Sequence, residues 1–199
     1  MKKKLSTIAL MSGLLASPFA WADWHINDAQ SNFNFLSVKA AQVGPEAATE
    51  IHRFKQFDGS LAKDGSFEFS IPVQSLATGI EIRDERMLDQ LFQQATYSAV
   101  KLKGKVDAAE FTALKPGEFK DVELEADLSI LDQTHPIKTK VRYVALENQR
   151  FMVNTLEPII INGNEFNLSE GIVSLREIAG LAFIAHTVPV NFSLVFEPQ

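Results

Sequence analysis

The side chains of this sequence best suited to chemistry gather around Arg83 and Asp84, with Glu81, Glu85 and Arg86 close by. Carboxylates and guanidinium groups packed into one stretch of helix could form an acid-base site. Alternatively, Arg83 could reach the polar head of a ligand, because a guanidinium fits phosphate or carboxylate. The same spacing also suits a solvated helix face with ion pairs between neighbouring turns. Thr78 and Gly79 read as the turn entering that helix. The four histidines, His25, His52, His135 and His186, show neither His-x-His nor His-x-x-x-His spacing, so neither a metal site nor a cofactor is expected. His135 stands between Thr134 and Pro136, where it reads as an exposed turn residue, or as a head-group contact if that turn borders a ligand mouth. The candidates for head-group contact are thus Thr78, Arg83, Asp84 and His135. Gly-x-Ser-x-Gly, Walker and glycine-rich phosphate motifs are missing from the sequence, so no catalytic residue is assigned.

The elements that must position these groups have the period of strands. In Ser66 to Val73, Phe67, Phe69, Ile71 and Val73 share one face, and Asp64-Gly65 just before them is a hairpin signal. Val100, Leu102 and Val106 alternate with Lys101, Lys103 and Lys105, and Val122 to Ile130 alternates with Glu123, Glu125 and Asp127. Further alternation runs through Phe33 and Phe35, through Val141, Tyr143 and Ala145 after an expected turn at Thr134-His135-Pro136, and through Phe151 and Val153. It ends in Val188, Val190, Phe192, Leu194 and Phe196. Only Ile82 to Phe92 and Ile172 to Ile178 read as helical, and both could act as lids or plugs.

About eight strands with one apolar face each make either a sandwich, whose faces fill one another, or a barrel wide enough for one ligand. In a barrel the lining would be Phe33, Phe35, Phe67, Phe69, Ile71, Val73, Leu102, Leu124, Val141, Tyr143, Phe151, Val153, Val190, Phe192 and Leu194. Fifteen phenylalanines against two tyrosines supply aromatic bulk with few hydroxyls, which suits a chain binder. At roughly 0.3 kcal/mol per heavy atom, a chain of about 40 carbons could supply about 12 kcal/mol, or about nanomolar affinity, from tail burial alone.

The beginning of the chain bounds its location. Lys2, Lys3 and Lys4, the apolar run Leu5 to Phe19 and Ala20-Trp21-Ala22 have the order of a cleavable signal peptide over residues 1–22, leaving one domain over 23–199 in the periplasm. Loss of those lysines lowers the cations from 19 to 16 against 25 acids, so the net charge of −6 becomes −9. An acidic body argues against nucleic acid and anionic headgroups as partners. With no cysteine, a lipoprotein anchor and disulfides are excluded, and no stable membrane anchor is expected.

Phe57-x-Gly59, Ser75-x-x-Thr78-Gly79, Arg83-Asp84 with Met87, Leu91-Phe92 and Tyr97, then Leu128-Ser129-Ile130 and Thr134-His135-Pro136-Ile137, follow the order and spacing of the YceI-like family. Val188-Pro189-Val190-x-Phe192 is similar to that family's last strand. The chain departs from the pattern at Ser98, at Asp132-Gln133, at Gln90-Leu91-Phe92 and around Glu177 to Leu181. The resemblance implies an all-β, lipocalin-like antiparallel barrel of about eight strands with one or two short helices. It further implies an apolar tunnel enclosing a polyisoprenoid or another long-chain amphiphile, and on that basis the chain reads as a non-catalytic carrier for transport of an isoprenoid lipid such as an isoprenoid quinone or a prenyl phosphate. The rival readings are an enzyme acting on such a ligand and a filled barrel used as a partner-binding scaffold. A homodimer is left open.

Overall fold

The computed structural model describes residues 24–43 and 46–199, so the expected signal segment lies outside the described residues. Eight strands wind up and down. β1 consists of Trp24–Ile26 and Asn32–Ala41, β2 of Ala47–Phe54 and Asp58–Leu61, and β3 of Ser66–Pro72 and Leu76–Ala77. β4 is Ala99–Lys105, β5 Phe119–Ile130 and β6 Gln133–Ala145. β7 consists of Phe151–Thr155 and Ile159–Asn162, and β8 is Thr187–Pro198. Each strand pairs antiparallel with the next, and β8 returns to β1 through Trp24↔Pro198 and Phe33↔Phe192, which closes the barrel. The alternation seen in the sequence explains why the walls face as they do. Leu124, Leu128 and Ile130 are buried inside, whereas Glu123, Glu125 and Asp127 stand exposed outside. A membrane-spanning barrel carries an apolar band outward, the reverse of this wall.

Local chemistry sets the breaks and turns. The Asp64-Gly65 turn needs glycine twice over, since Gly65 has φ +84° and a Cβ there would meet the Val106 carbonyl oxygen at 1.8 Å. The turn expected at Thr134-His135-Pro136 lies instead inside β6, and the hairpin reverses at Leu131-Asp132, with Leu131 at φ 52°. A proline is tolerated in a strand where its missing N–H leaves no rung unfilled. The β6–β7 ladder stops at Val141↔Thr155, well short of Pro136.

Both expected helices form, at the same end of the barrel. α1, Glu81–Arg86, runs into a wider π-helical turn, Met87–Leu91, and together they cover the expected Ile82 to Phe92 but for its last residue. A third short helix, α2 at Ala109–Thr112, lies at the opposite end, and α3, Ser169–Ile178, contains the expected Ile172 to Ile178. A short strand, Leu181–Ile184, follows α3 and pairs with the end of β1. α3 lies directly on the π-helical turn at Gly171, where a Cβ would meet the Gln90 carbonyl oxygen at 2.4 Å and the Leu91 Cα at 2.8 Å. Ser174 Oγ adds a 3.0 Å hydrogen bond to Gln90 Oε1.

Glycine within a helix costs about 0.5–1 kcal/mol relative to alanine, yet the atoms crowding Gly171 are backbone and cannot swing aside. Overpacking costs about 1–3 kcal/mol, so Gly171→Ala should lower the melting temperature despite its better helix propensity. A rise in melting temperature would show that the two helices are not held in contact.

Candidate functional site

The bore of the barrel is an apolar tunnel of about 330 Å³. Its floor is aromatic. Phe151 stacks on Phe196 at 4.7 Å, and Trp24 and Tyr143 pack edgewise or tilted on Phe151 at 5.9 and 5.8 Å. Trp24 Nε1 donates to the Gln149 carbonyl at 2.9 Å, which ties this floor to the loop beneath it. Burial pushes the Tyr143 phenol up to about 12, so it stays protonated. Higher up, Phe33, Phe35, Phe54, Phe57 and Phe69 form a chain of ring contacts, and Phe54 meets Phe92, the residue just after the π-helical turn, at 5.9 Å. Ile172 and Leu175 of α3 close over the same space.

The tunnel turns polar at the helical end. Ser37 and Lys39 on β1, Glu50 and His52 on β2 and Arg83 on α1 all line it. One carboxylate organises them. Glu50 Oε2 accepts from Arg83 Nη1 at 2.7 Å and pairs with Lys39 Nζ at 2.9 Å, while His52 Nε2 stands 4.0 Å away. Ser37 Oγ bonds His52 Nε2 at 2.9 Å. Burial acts against the Glu50 carboxylate, but the Lys39 hydrogen bond and the charges of Arg83, Lys39 and His52 outweigh it and hold its pKa below the ordinary 4.5. For His52, burial and then the Arg83 charge lower the pKa below 6.5, and the opposing pull of Glu50 does not restore it. Two nitrogens here are buried with no protein partner, Arg83 Nε and His52 Nδ1.

The structure also explains the Thr-Gly-x-x-x-Arg-Asp spacing. Asp84 Oδ1 accepts from the Thr78 N–H at 2.9 Å and from the Thr78 hydroxyl, clamping the turn into α1. Gly79 takes φ +82° within that turn. Arg83 Nη2 then donates to the Thr78 carbonyl at 2.6 Å, so the clamp aims the guanidinium across the mouth at Glu50. Of the head-group candidates, Arg83 alone lines the tunnel. Thr78 and Asp84 hold it in place, and its partner is a strand carboxylate rather than an acid of its own helix.

His135 goes elsewhere. It bonds the Glu165 carbonyl at 2.9 Å, packs edge-on against Phe166 at 5.1 Å and faces the flank of the barrel. Every apolar residue named from the sequence as lining the barrel does line the tunnel except Val73 and Val141. Val73 begins a 3₁₀ turn, Val73–Ser75, that leaves the strand, and Val141 is wholly enclosed by its neighbours at 0% exposure. Sequence reasoning missed Ser37, Lys39, Glu50 and His52. The available signal was the continuation of the inward parity of Phe33 and Phe35 through positions 37 and 39, and of Phe54 back through 52 and 50, where polar residues interrupt an apolar face. Among the described residues no three His, Cys, Asp or Glu side chains converge as a metal site would require, and no helix is long and apolar enough to cross a membrane.

Comparison with known proteins bears on this tunnel. A family model of the YceI-like domain matches residues 24–196. A polyisoprenoid binding domain from Saccharophagus degradans, implicated in plant cell wall breakdown, shares 33% identity with a TM-score of 0.84, over 89% of this chain and 99% of that one. BcnA of Burkholderia cenocepacia shares the fold at 18% identity and TM-score 0.62, over 85% of this chain and 98% of that one. A Campylobacter jejuni YCEI protein does so at 13% identity and 0.57, over 79% and 90%. No curated protein matches the chain.

The polar end makes stability depend on pH. His52 is depressed below its unfolded value near 6.5, so the folded chain binds fewer protons than the unfolded one, and stability is lost as pH falls below that value. Glu50, also depressed, loses its contribution at lower pH still, as its folded pKa is crossed. Urea midpoints should therefore fall from about pH 7 to about pH 5.5, and His52→Gln should flatten that slope. An unchanged slope in His52→Gln would show that this imidazole titrates alike in both states.

Proposed function

This chain belongs to the YceI-like domain family, and we propose that it is a non-catalytic periplasmic carrier that holds the tail of a polyisoprenoid in its tunnel. The observation that carries this reading is the hollow bore itself, about 330 Å³ bounded mainly by aromatic and aliphatic side chains, with the Arg83–Glu50 cluster at its helical end. A filled scaffold would have no such space. The binding role named for the Saccharophagus domain supports the same class of ligand.

The polar end narrows the choice of head group. Each terminal nitrogen of Arg83 already makes one hydrogen bond, to Glu50 or to Thr78, and the Lys39 charge shares the same carboxylate. The buried nitrogens left wholly without a protein partner are Arg83 Nε and His52 Nδ1, the latter a donor in the tautomer in which Ser37 donates to Nε2. Two single donors suit one acceptor oxygen, such as the carbonyl of an isoprenoid quinone, better than a phosphate that calls for a bidentate guanidinium. The expected signal peptide over residues 1–22, which would direct the barrel out of the cytoplasm, supports a carrier working between membrane and periplasm.

The test is organic extraction of protein purified from the periplasm of a Gram-negative host, followed by mass spectrometry. A stoichiometric long-chain isoprenoid is expected, on a chain whose intact mass begins at Asp23. A chemically altered isoprenoid would favour an enzyme, and an empty protein that takes up no added isoprenoid would overturn the carrier reading.

A further inference from the structure

The barrel wall is incomplete between β6 and β7. The ladder that pairs Val141 with Thr155 ends with the Leu156 N–H donating to the Lys140 carbonyl at 2.9 Å, and beyond it Ile159–Asn162 pairs with β8 alone. The cause lies in the sequence. Extended in the same register, the next rungs would set Pro158 opposite Lys138 and Pro136 opposite Ile160, so each would contain a residue with no N–H to donate. The edges stay apart around a slot of about 380 Å³ on the flank of the barrel. Ile137, Ile159 and Ile161 line both this slot and the tunnel, so side chains rather than a hydrogen-bonded wall separate the two. Thr139, 8% exposed, lines this slot, and its hydroxyl is buried without a hydrogen-bond partner. Outside, Ile160 is 59% exposed and Leu156 44%.

We propose that this slot is a second subsite, a side portal that takes the distal end of the apolar chain whose first part fills the tunnel. The proposal rests on the carrier reading. Volume supplies the reason for a single occupant: at roughly 10–15 Å³ of cavity per water-sized group, the tunnel holds on the order of 20–30 groups, fewer than a chain of about 40 carbons brings. The slot offers about as much space again, shares Ile137, Ile159 and Ile161 with the tunnel, and exposes Ile160 among its polar lining of Lys138, Glu157 and Glu165 where a chain would emerge. Short isoprenoids fit within the tunnel, and long ones require the portal.

The chain has no cysteine, so Ile160→Cys can carry one environment-sensitive dye at the lip of the slot. Farnesol and solanesol are added separately, and bound alcohol is measured by mass spectrometry after gel filtration. Solanesol should change the dye emission and farnesol should not, although both bind. Stoichiometric solanesol with unchanged emission would overturn the portal while leaving the carrier reading intact, whereas failure of both alcohols to bind would remove the carrier reading and the portal with it. In a second arm, Pro136→Val with Pro158→Val restores both donors and lets the ladder close. Solanesol affinity should then fall about tenfold while farnesol stays within about twofold, and equal affinities for solanesol with and without the substitutions would contradict the proposal.

Discussion

Hydrogen-bonded closure of the sheet, made where Trp24–Ile26 and Asn32–Ala41 meet the length of β8, is the constraint from which the other features follow. Eight strands closed in this way give an interior that either side chains or one small ligand can occupy. Here the inward residues line the wall without filling it, and the aromatic cluster of Phe151, Phe196, Tyr143 and Trp24 stops one end. Because each strand alternates, the same closure that collects Phe33, Phe69, Leu124 and Phe192 inside drives Lys101, Glu123 and Asp127 outside. One geometric fact therefore yields both an apolar bore and a charged exterior.

The polar end departs from that pattern at a cost. Removing charges from water is expensive unless they are paired, and Glu50 meets the requirement by serving Arg83 and Lys39 together. Its carboxylate joins three elements, β1, β2 and α1, so the helix over the mouth is tied to the barrel rim through a single anion. The nitrogens left over, on Arg83 and His52, are groups that a bound head would satisfy. Buried donors without partners are destabilising by about 1–3 kcal/mol each, a cost that a ligand with an acceptor oxygen would remove. Affinity would then come from the length of the tail, and selectivity from these few polar atoms.

Much of this was legible in the sequence because strand alternation is local. The face carrying Phe67, Phe69 and Ile71 can be read without knowing its neighbours, and the Thr78 to Asp84 spacing identifies the turn into α1. What escaped depends on pairing between distant segments. Glu50 and His52 acquire meaning only when β2 lies in register with β1, Ser37↔Glu50 and Phe35↔His52, and Arg83 reaches Glu50 across 33 positions of sequence. Pro136 was misread as a turn for a related reason: its place in β6 depends on β7 failing to pair there. Val73 and Val141 have the right parity, yet a 3₁₀ turn takes one out of the strand and tight packing encloses the other.

The central claim is that the inward stripe bounds a hollow and not a core. Phe69, 9% exposed and in contact with Phe33 and Phe57, lies on that stripe. The most direct measurement is Phe69→Trp, read by ligand-free melting temperature beside binding of isoprenoids of graded length, with Glu68→Trp on the outer face as control. In a hollow barrel the added ring takes volume from the ligand, so melting changes little and the longest chain accepted becomes shorter. In a filled barrel the ring overpacks the interior at a cost of about 1–3 kcal/mol, and a large fall in melting temperature with unaltered length preference would contradict the account.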